Sequence, residues 1–405
     1  MKTKIAAVCL IAIIIVAGAA IVFTWNSDDT KGDESSDTVK DMAGRSVVIP
    51  DNLDKGIVTF GSVDPLRFVS YFNLNEKVIE VDDGDVTDSK NGRAYSYAYD
   101  YDKLTKVHSD NSLTAEDVER VANLQPSLVI VSGNVYANYA DMVNILAKAV
   151  PVFVLKSMST SAAYWDPATY ELNNDFTQQI TQLGKVLKEN DRAEELISGF
   201  NKYLQELKSM IGTTDERIIT SGLTISGSNP LNVTFPFYAP LEVNGVSNVY
   251  NKSNDTKVEL DVETVAKLNM TMMLIDPSSS DKIIGNNNSQ LVMSYIYGVN
   301  NDADPSNDIS MYTVLPIVWD GCNWDVSLVG SFYISHLLYD SMSTEDVMKK
   351  MTEIFEFFYG SDGSSVLDDM SQFFIEKSSK NGVELPLFSE VEIVKNAGGY
   401  TFSAA

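Results

Sequence analysis

The sequence predicts an α/β protein of two lobes, each a parallel sheet flanked by helices, joined by one long rigid helix and preceded by an N-terminal transmembrane anchor or signal segment. Three observations predict it. Short β-rich runs alternate with amphipathic helical runs beyond residue 40, one helix-turn-strand unit recurs in each half, and a long helical stretch separates the halves. With 405 residues the chain has length for a targeting element and two domains that each bury a core.

In chain order, Lys2 and Lys4 precede an uncharged apolar run over residues 5–23. That is close to the roughly 20 residues a helix needs to span a bilayer. The two lysines stay cytoplasmic by the positive-inside rule, so the chain beyond Trp25 is exported. Ala17, Gly18, Ala19 and Ala20 leave a cleaved signal open, and residues 1–25 are read as membrane anchor or signal segment. Cys9 lies too deep in the run for lipid attachment. Residues 26–38 are Ser/Asp/Gly-rich with almost nothing apolar, which makes a flexible tether.

The N-terminal α/β lobe is assigned to residues 39–175, with strands near 56–60, 77–81, 128–132 and 152–155. Residues 176–212 form the connecting helical segment. Asn190-Asp191 interrupts it, and Asp191 with Glu194 predicts a capping box for a second helix reaching Ile211, about 30 Å long at 1.5 Å per residue. The C-terminal α/β lobe is assigned to residues 213–405, with strands near 217–224, 272–276 and 312–318. The recurring unit reads VERVANL at 118–124 before the strand LVIVS at 128–132, and VETVAKL at 262–268 before MMLID at 272–276. Each copy begins behind an N-cap candidate, Thr114 with Asp117 or Asp261 with Thr264.

Charge narrows the function. The chain carries a formal charge of −26, and removing Lys2 and Lys4 leaves 28 basic against 56 acidic residues, or −28, on the exported part. Such a field repels phosphate backbones, so no nucleic acid partner is expected. Cys322 is alone outside the apolar run, so no internal disulfide supports the fold. His108 and His336 are the only histidines and lie far apart in the sequence. No nucleophile–base pair, metal cluster or phosphate cradle is present, so the chain is expected to be no enzyme, with no catalytic residue, cofactor or direct metal ligand.

A binding function needs aromatic walls and a few placed polar groups. Arg93, Tyr95, Tyr97, Tyr99 and Tyr101 alternate with period two, which puts them on one face of an extended segment, either as a binding wall or as the half-buried face of a strand. Phenols stack on planar ligands while donating hydrogen bonds, and Arg93 supplies a counter-charge for an anionic chelate. Phe235 and Tyr238 lie between Pro230 and Pro240, and Trp319 and Trp324 follow a predicted strand. Loops after parallel strands receive ligands in α/β sheets. Ser62 and Arg67 follow the first strand, and Tyr136 lies beyond the strand at 128–132, so they complete the candidate ligand-binding set. Buried packing is the alternative for Phe235 and Trp319, and a solvated helix position is the alternative for Arg67.

Several ordered patterns carry a family resemblance. VKDMAGRSVVIP at 39–50 looks like an opening hairpin, residues 113–133 like a helix leading into a "P-x-L-V-I" strand, and LEVNGVSNV at 241–249 like a second-lobe segment of leucine, acid, apolar, small, Gly and Asn. Residues 328–359, with LLY at 337–339 and FEFFYG at 355–360, look like closing helices. In this order, over residues 38–380, the sequence resembles the helical-hinge periplasmic binding proteins that serve ferric-siderophore, haem and cobalamin importers. The departures are a Tyr-rich stretch at 91–102, a missing glycine-rich run at 229–240 and a polar, insertion-like segment at 286–310.

The resemblance implies two Rossmann-like lobes and an extracytoplasmic protein that captures an iron chelate or corrinoid in an interlobe cleft. It implies delivery to an ABC permease of the iron or cobalamin uptake type, with the protein monomeric and held to the membrane by its N-terminal segment. It further implies an acid on each lobe that docks against permease arginines. Asp64, in GSVDPL at 61–66, and Glu242 stand at those positions, and Asp64 is equally suited to cap the helix beginning at Pro65. The alternative from another class is a cell-surface interaction or adhesion protein on the same bilobal scaffold.

Overall fold

In a computed structural model, the described residues are 37–405 apart from 63, 87–89, 108–110, 159–161, 223–229, 254, 284, 319–321, 381 and 384. They group into two compact units. The first comprises the described residues among 1–88, 101–157 and 174–196, and the second those among 89–100, 158–173 and 197–405. A single cut near residue 175 does not reproduce this grouping, because segments 89–100 and 158–173 join the second unit.

The first unit opens with the antiparallel hairpin β1 (Thr38–Lys40) and β2 (Ser46–Val48). Asp41 fixes its turn by accepting from the Ala43 and Arg45 amides and from Arg45 Nε. The same buried carboxylate accepts the Val154 amide, which pins the hairpin to the sheet. That sheet holds β3 (Ile57–Phe60), β4 (Val78–Asp82), β5 (Thr105–Val107), β6 (Leu128–Val131) and β7 (Val152–Val154), all parallel, in the order β5-β4-β3-β6-β7. Strands β3, β6 and β7 are buried along their full length, the pattern of parallel strands covered on both faces. The helices are α1 (Asp64–Tyr71), α2 (Ala115–Leu124), α3 (Gly133–Leu146), α4 (Asn174–Leu187) and α5 (Asn190–Met210). Val118, Val121, Val135, Val143 and Leu146 bring α2 and α3 onto Val58, Phe60, Val129 and Val131 of the sheet.

The break between α4 and α5 falls where the sequence places it, by a different device. Lys188 takes a left-handed φ of 60° and the Glu189 amide returns to the Gly184 carbonyl, which ends α4. Helix α5 then starts at Asn190, so Asp191 lies inside its first turn and not at the cap. At 21 residues α5 is about 30 Å long. It begins in the first unit and ends in the second.

The second unit carries a parallel sheet in the order β8 (Ile218–Ser221), β9 (Met272–Ile275), β10 (Ser310–Thr313). Strand β10 starts and ends earlier than expected. Thr313 donates its amide to the Ser389 carbonyl, Val314 still donates to the Ile275 carbonyl of β9, and Pro316 has no N–H with which to continue a ladder. Around the sheet lie α6 (Asn287–Asn300), α7 (Trp324–Tyr339), α8 (Thr344–Tyr359) and α9 (Val366–Ser379), and the hairpin β11 (Val391–Asn396) with β12 (Gly399–Ala404) closes the chain. The segment expected as a polar insertion at 286–310 contains α6, because Val292, Met293 and Ile296 share one helical face and join the core with Ile275, Met311 and Ile393.

The recurring unit is present in both halves. Thr114 and Asp117 form a reciprocal capping box at α2, and Asp261 caps the short helix Val262–Lys267 through the Thr264 amide. The copies also match at their ends, where Gln125 and Asn269, each directly after the shared leucine, take left-handed φ angles of 52° and 47°. Among the described residues no helix is long and apolar enough to cross a membrane, and the apolar run at 5–23, like the tether up to residue 36, lies outside them.

Candidate functional site

In the first unit the strand order reverses between β3 and β6, and the loops at the carboxyl ends of such strands form the usual receiving edge of an α/β sheet. Three side chains organise this edge. Ser62 is held from both sides by Asn111, whose Oδ1 accepts the Ser62 amide at 3.0 Å and whose Nδ2 donates to the Ser62 hydroxyl at 3.0 Å. Asp82, the last residue of β4, accepts the amides of Gly61 and Gly84 at 3.0 Å each. The carboxyl is fully buried, and burial pushes it up to about 7 against the pull of the Gly84 and Gly61 N–H groups, with Asp85 and Asp83 adding to the rise. Gly61 must be glycine here, since its φ is 91° and a Cβ would lie 2.1 Å from the Ser132 hydroxyl.

Arg67 is fully buried and pairs with Asp64 at 3.0 Å one helical turn away. It is therefore not a solvated helix residue. Burial raises the Asp64 carboxyl in spite of Arg67, and about 21% of the Asp64 side chain stays open. Tyr136 is half-buried on α3 with the Arg45 guanidinium 5.1 Å from its ring centre.

In the second unit the carboxyl ends of β8–β10 meet the segment 90–100. This segment is not extended. Residues Tyr95–Ala98 form a helical turn, so the period-two face does not exist. Arg93 and Tyr95 are fully buried, and Tyr97 and Tyr99 are half-buried with their hydroxyls donated to the carbonyls of Asn91 and Tyr359. Tyr101 leaves the group and belongs to the first unit, where its hydroxyl lies 2.8 Å from that of Ser70. Tyr97 packs edge-on against Phe373, and burial holds its phenol well above the ordinary range.

Beside this segment, Asp276 follows β9 and accepts the Ser278 amide at 2.8 Å. Burial raises Asp276 to about 6, opposed by Ser278 and by Lys377. Tyr238 is buried and stacks on Phe235 at 6.2 Å, and burial with Asp276 nearby holds its phenol far above its usual range. The amide nitrogen of buried Asn248 donates to the hydroxyls of Thr220 and Thr234 and to the Phe235 carbonyl, which fixes the loop that carries this aromatic pair. Trp324 is buried edge-on against Tyr164 at 5.6 Å. Trp319 lies outside the described residues, as does His108. Glu242 is half-buried, accepts from the Ser247 hydroxyl at 3.0 Å, and forms no ion pair among the described residues; burial raises its carboxyl.

Sequence reasoning passed over Asp82, Asn111, Asp276, Asn91 and Lys377. Asp82 and Asp276 had a readable signal, an acid directly at the carboxyl end of an apolar strand run, whereas the other three act through partners distant in sequence. Among the described residues no three His, Cys, Asp or Glu side chains gather to hold a metal ion.

A sequence model of the periplasmic binding proteins matches residues 76–288. No curated protein matches the sequence. Among solved structures, the molybdate-bound periplasmic binding protein of a Haemophilus influenzae ABC transporter aligns with a TM-score of 0.57 and 16% identity, over 80% of this chain and 97% of that one. A periplasmic solute-binding protein from Veillonella parvula gives 0.56 and 14%, over 81% and 95%. A Helicobacter pylori protein with Ni(II) bound gives 0.53 and 15%, over 82% and 99%. These three share the fold.

Proposed function

Because the chain belongs to the periplasmic binding protein family, we propose that it captures a metal chelate, such as a ferric siderophore, haem or a corrinoid, and hands it to an ABC permease. As a family member it is an extracytoplasmic solute-binding protein that works with an ABC permease. The single observation that carries the reading is that one family match, residues 76–288, takes in strands of both parallel sheets together with the loops at their carboxyl ends. Those loops carry the half-buried tyrosines Tyr97 and Tyr99, whose phenols suit a chelate, whereas Arg93 and Tyr238 are buried. A chelate brings its own metal ligands and asks no metal cage of the protein. The Haemophilus protein bound to molybdate and the Helicobacter protein bound to nickel support a metal-containing solute. The surface-interaction alternative draws no support from the family match.

In this reading Asp64 and Glu242 meet cationic residues of the permease. Glu242 is the stronger of the two, since Asp64 already has Arg67 as its counter-charge. The test is thermal unfolding of the purified protein with a ferric trihydroxamate, haemin or cyanocobalamin. A ligand at about 100 times its Kd stabilises the native state by about 2.7 kcal/mol. Stabilisation by one of these at micromolar concentration supports the reading, and its absence with all three moves the solute to another class.

A further inference from the structure

Residues 90–100 come from the N-terminal half of the sequence and are built into the second unit. Their seat is tight. Gly92 lies so close to the Pro316 carbonyl that a Cβ would stand 1.9 Å from its oxygen, and Asn91 takes a left-handed φ of 43° that few side chains tolerate. One cation joins this strap to the sheet. Lys377 on α9 donates to Asn91 Oδ1 at 2.8 Å and to the Ser278 carbonyl at 2.5 Å, in the loop after β9. The Lys377 charge also pulls the Asp276 carboxyl down against burial. Phe373 lies one turn before Lys377 on the same face of α9 and receives the Tyr97 ring at 6.0 Å. The Tyr97 hydroxyl in turn donates to the Asn91 carbonyl. Asn91 therefore passes its position directly to Tyr97.

We infer that Lys377 is a positioning residue that locks the 90–100 strap onto the second unit and so sets the tyrosine surface that meets the solute. The inference rests on the chelate-binding reading only for its second half, since the lock itself is a property of the protein without solute. One charge-assisted hydrogen bond from Lys377 holds the strap at Asn91 while a second ties the same amine to the Ser278 carbonyl, so removing the amine unlinks the strap from the loop after β9. Release frees Tyr97 and Tyr99 from the poses fixed by Asn91, Phe373 and Tyr359.

The experiment compares the full chain with Lys377→Met in two measurements. Amide hydrogen exchange without ligand is expected to rise about tenfold or more in peptides covering 90–100, with both sheets unchanged. Affinity for whichever of the ferric trihydroxamate, haemin or cyanocobalamin the wild type binds is expected to fall about tenfold. Unchanged exchange in the strap, or a uniform rise across the whole chain, overturns the lock. Strap release with unaltered affinity overturns the positioning role. If the wild type binds none of the three, hydrogen exchange alone decides the lock, and the missing affinity counts only against the chelate reading. Should Lys377→Met fail to fold, Lys377→Gln, which keeps a neutral donor of shorter reach, carries the same comparison.

Discussion

Asp82 shows how a single buried carboxyl couples the sheet edge to pH. Its folded value of about 7 lies above its ordinary 3.8, so the native state holds a proton that the unfolded chain releases between those values. Stability from this group is therefore complete below about pH 4 and is lost as pH rises through about 7. Between about pH 5 and about pH 8 the loss amounts to about 2–3 kcal/mol. Urea titrations at the two pH values should give a fall for the wild type larger by that amount than the fall for Asp82→Asn. Asp276, raised to about 6, gives a smaller slope of the same sign in both proteins and so drops out of the comparison. Equal slopes in the two would show that the Gly61 and Gly84 amides keep Asp82 ionised.

At the scale of elements, the two helix-turn-strand copies use the same start and stop. Thr114 and Asp261 each accept an amide three residues on, and in each copy the shared leucine is followed by a left-handed residue. Removing one cap costs about 1 kcal/mol in a typical helix. Thr114→Ala is expected to lower unfolding free energy by about that much and Asp261→Ala to lower it too, additively in the double variant because the two lie in different units. Chemical denaturation checks this, and a cost near zero in either would mean that tertiary packing alone holds that copy. These units were legible because Leu-Val-Ile-Val and Met-Met-Leu-Ile are continuous apolar runs behind a cap signal. The strap was not legible. Tyrosines at alternate positions look like a strand face, but what fixes residues 95–98 as a helical turn is the fit of Gly92 to Pro316 and of Asn91 to Lys377, partners more than 200 residues away. Helix α6 was hidden for a related reason, since its flanks are so rich in Asn that three buried apolar residues on one face were outweighed. Among the candidate site residues, Phe235 and Tyr238 are brought together as a stacked pair, whereas Trp324 is drawn into an aromatic core with Tyr164.

At the scale of the whole molecule, the chain's charge and its N-terminal run act together. A body carrying −28 beyond the apolar run is repelled by anionic lipid, so it does not lie on the membrane by itself. The apolar run at residues 5–23 is long enough to span a bilayer, and the expectation from sequence is that it anchors the chain near a permease. The expected outcome is that the full chain stays in the membrane pellet through high-salt and alkaline washes, while a version starting at residue 38 is released to the supernatant. Mass spectrometry of the mature protein makes the test two-sided. A product retaining Lys2 and Lys4 supports the anchor, because the apolar run then remains in the bilayer with its lysines on the cytoplasmic side. A product beginning near Ala20 means that the run is a signal removed on export, and a body so acidic would then depend on the permease alone, through contacts such as Glu242, to find the membrane.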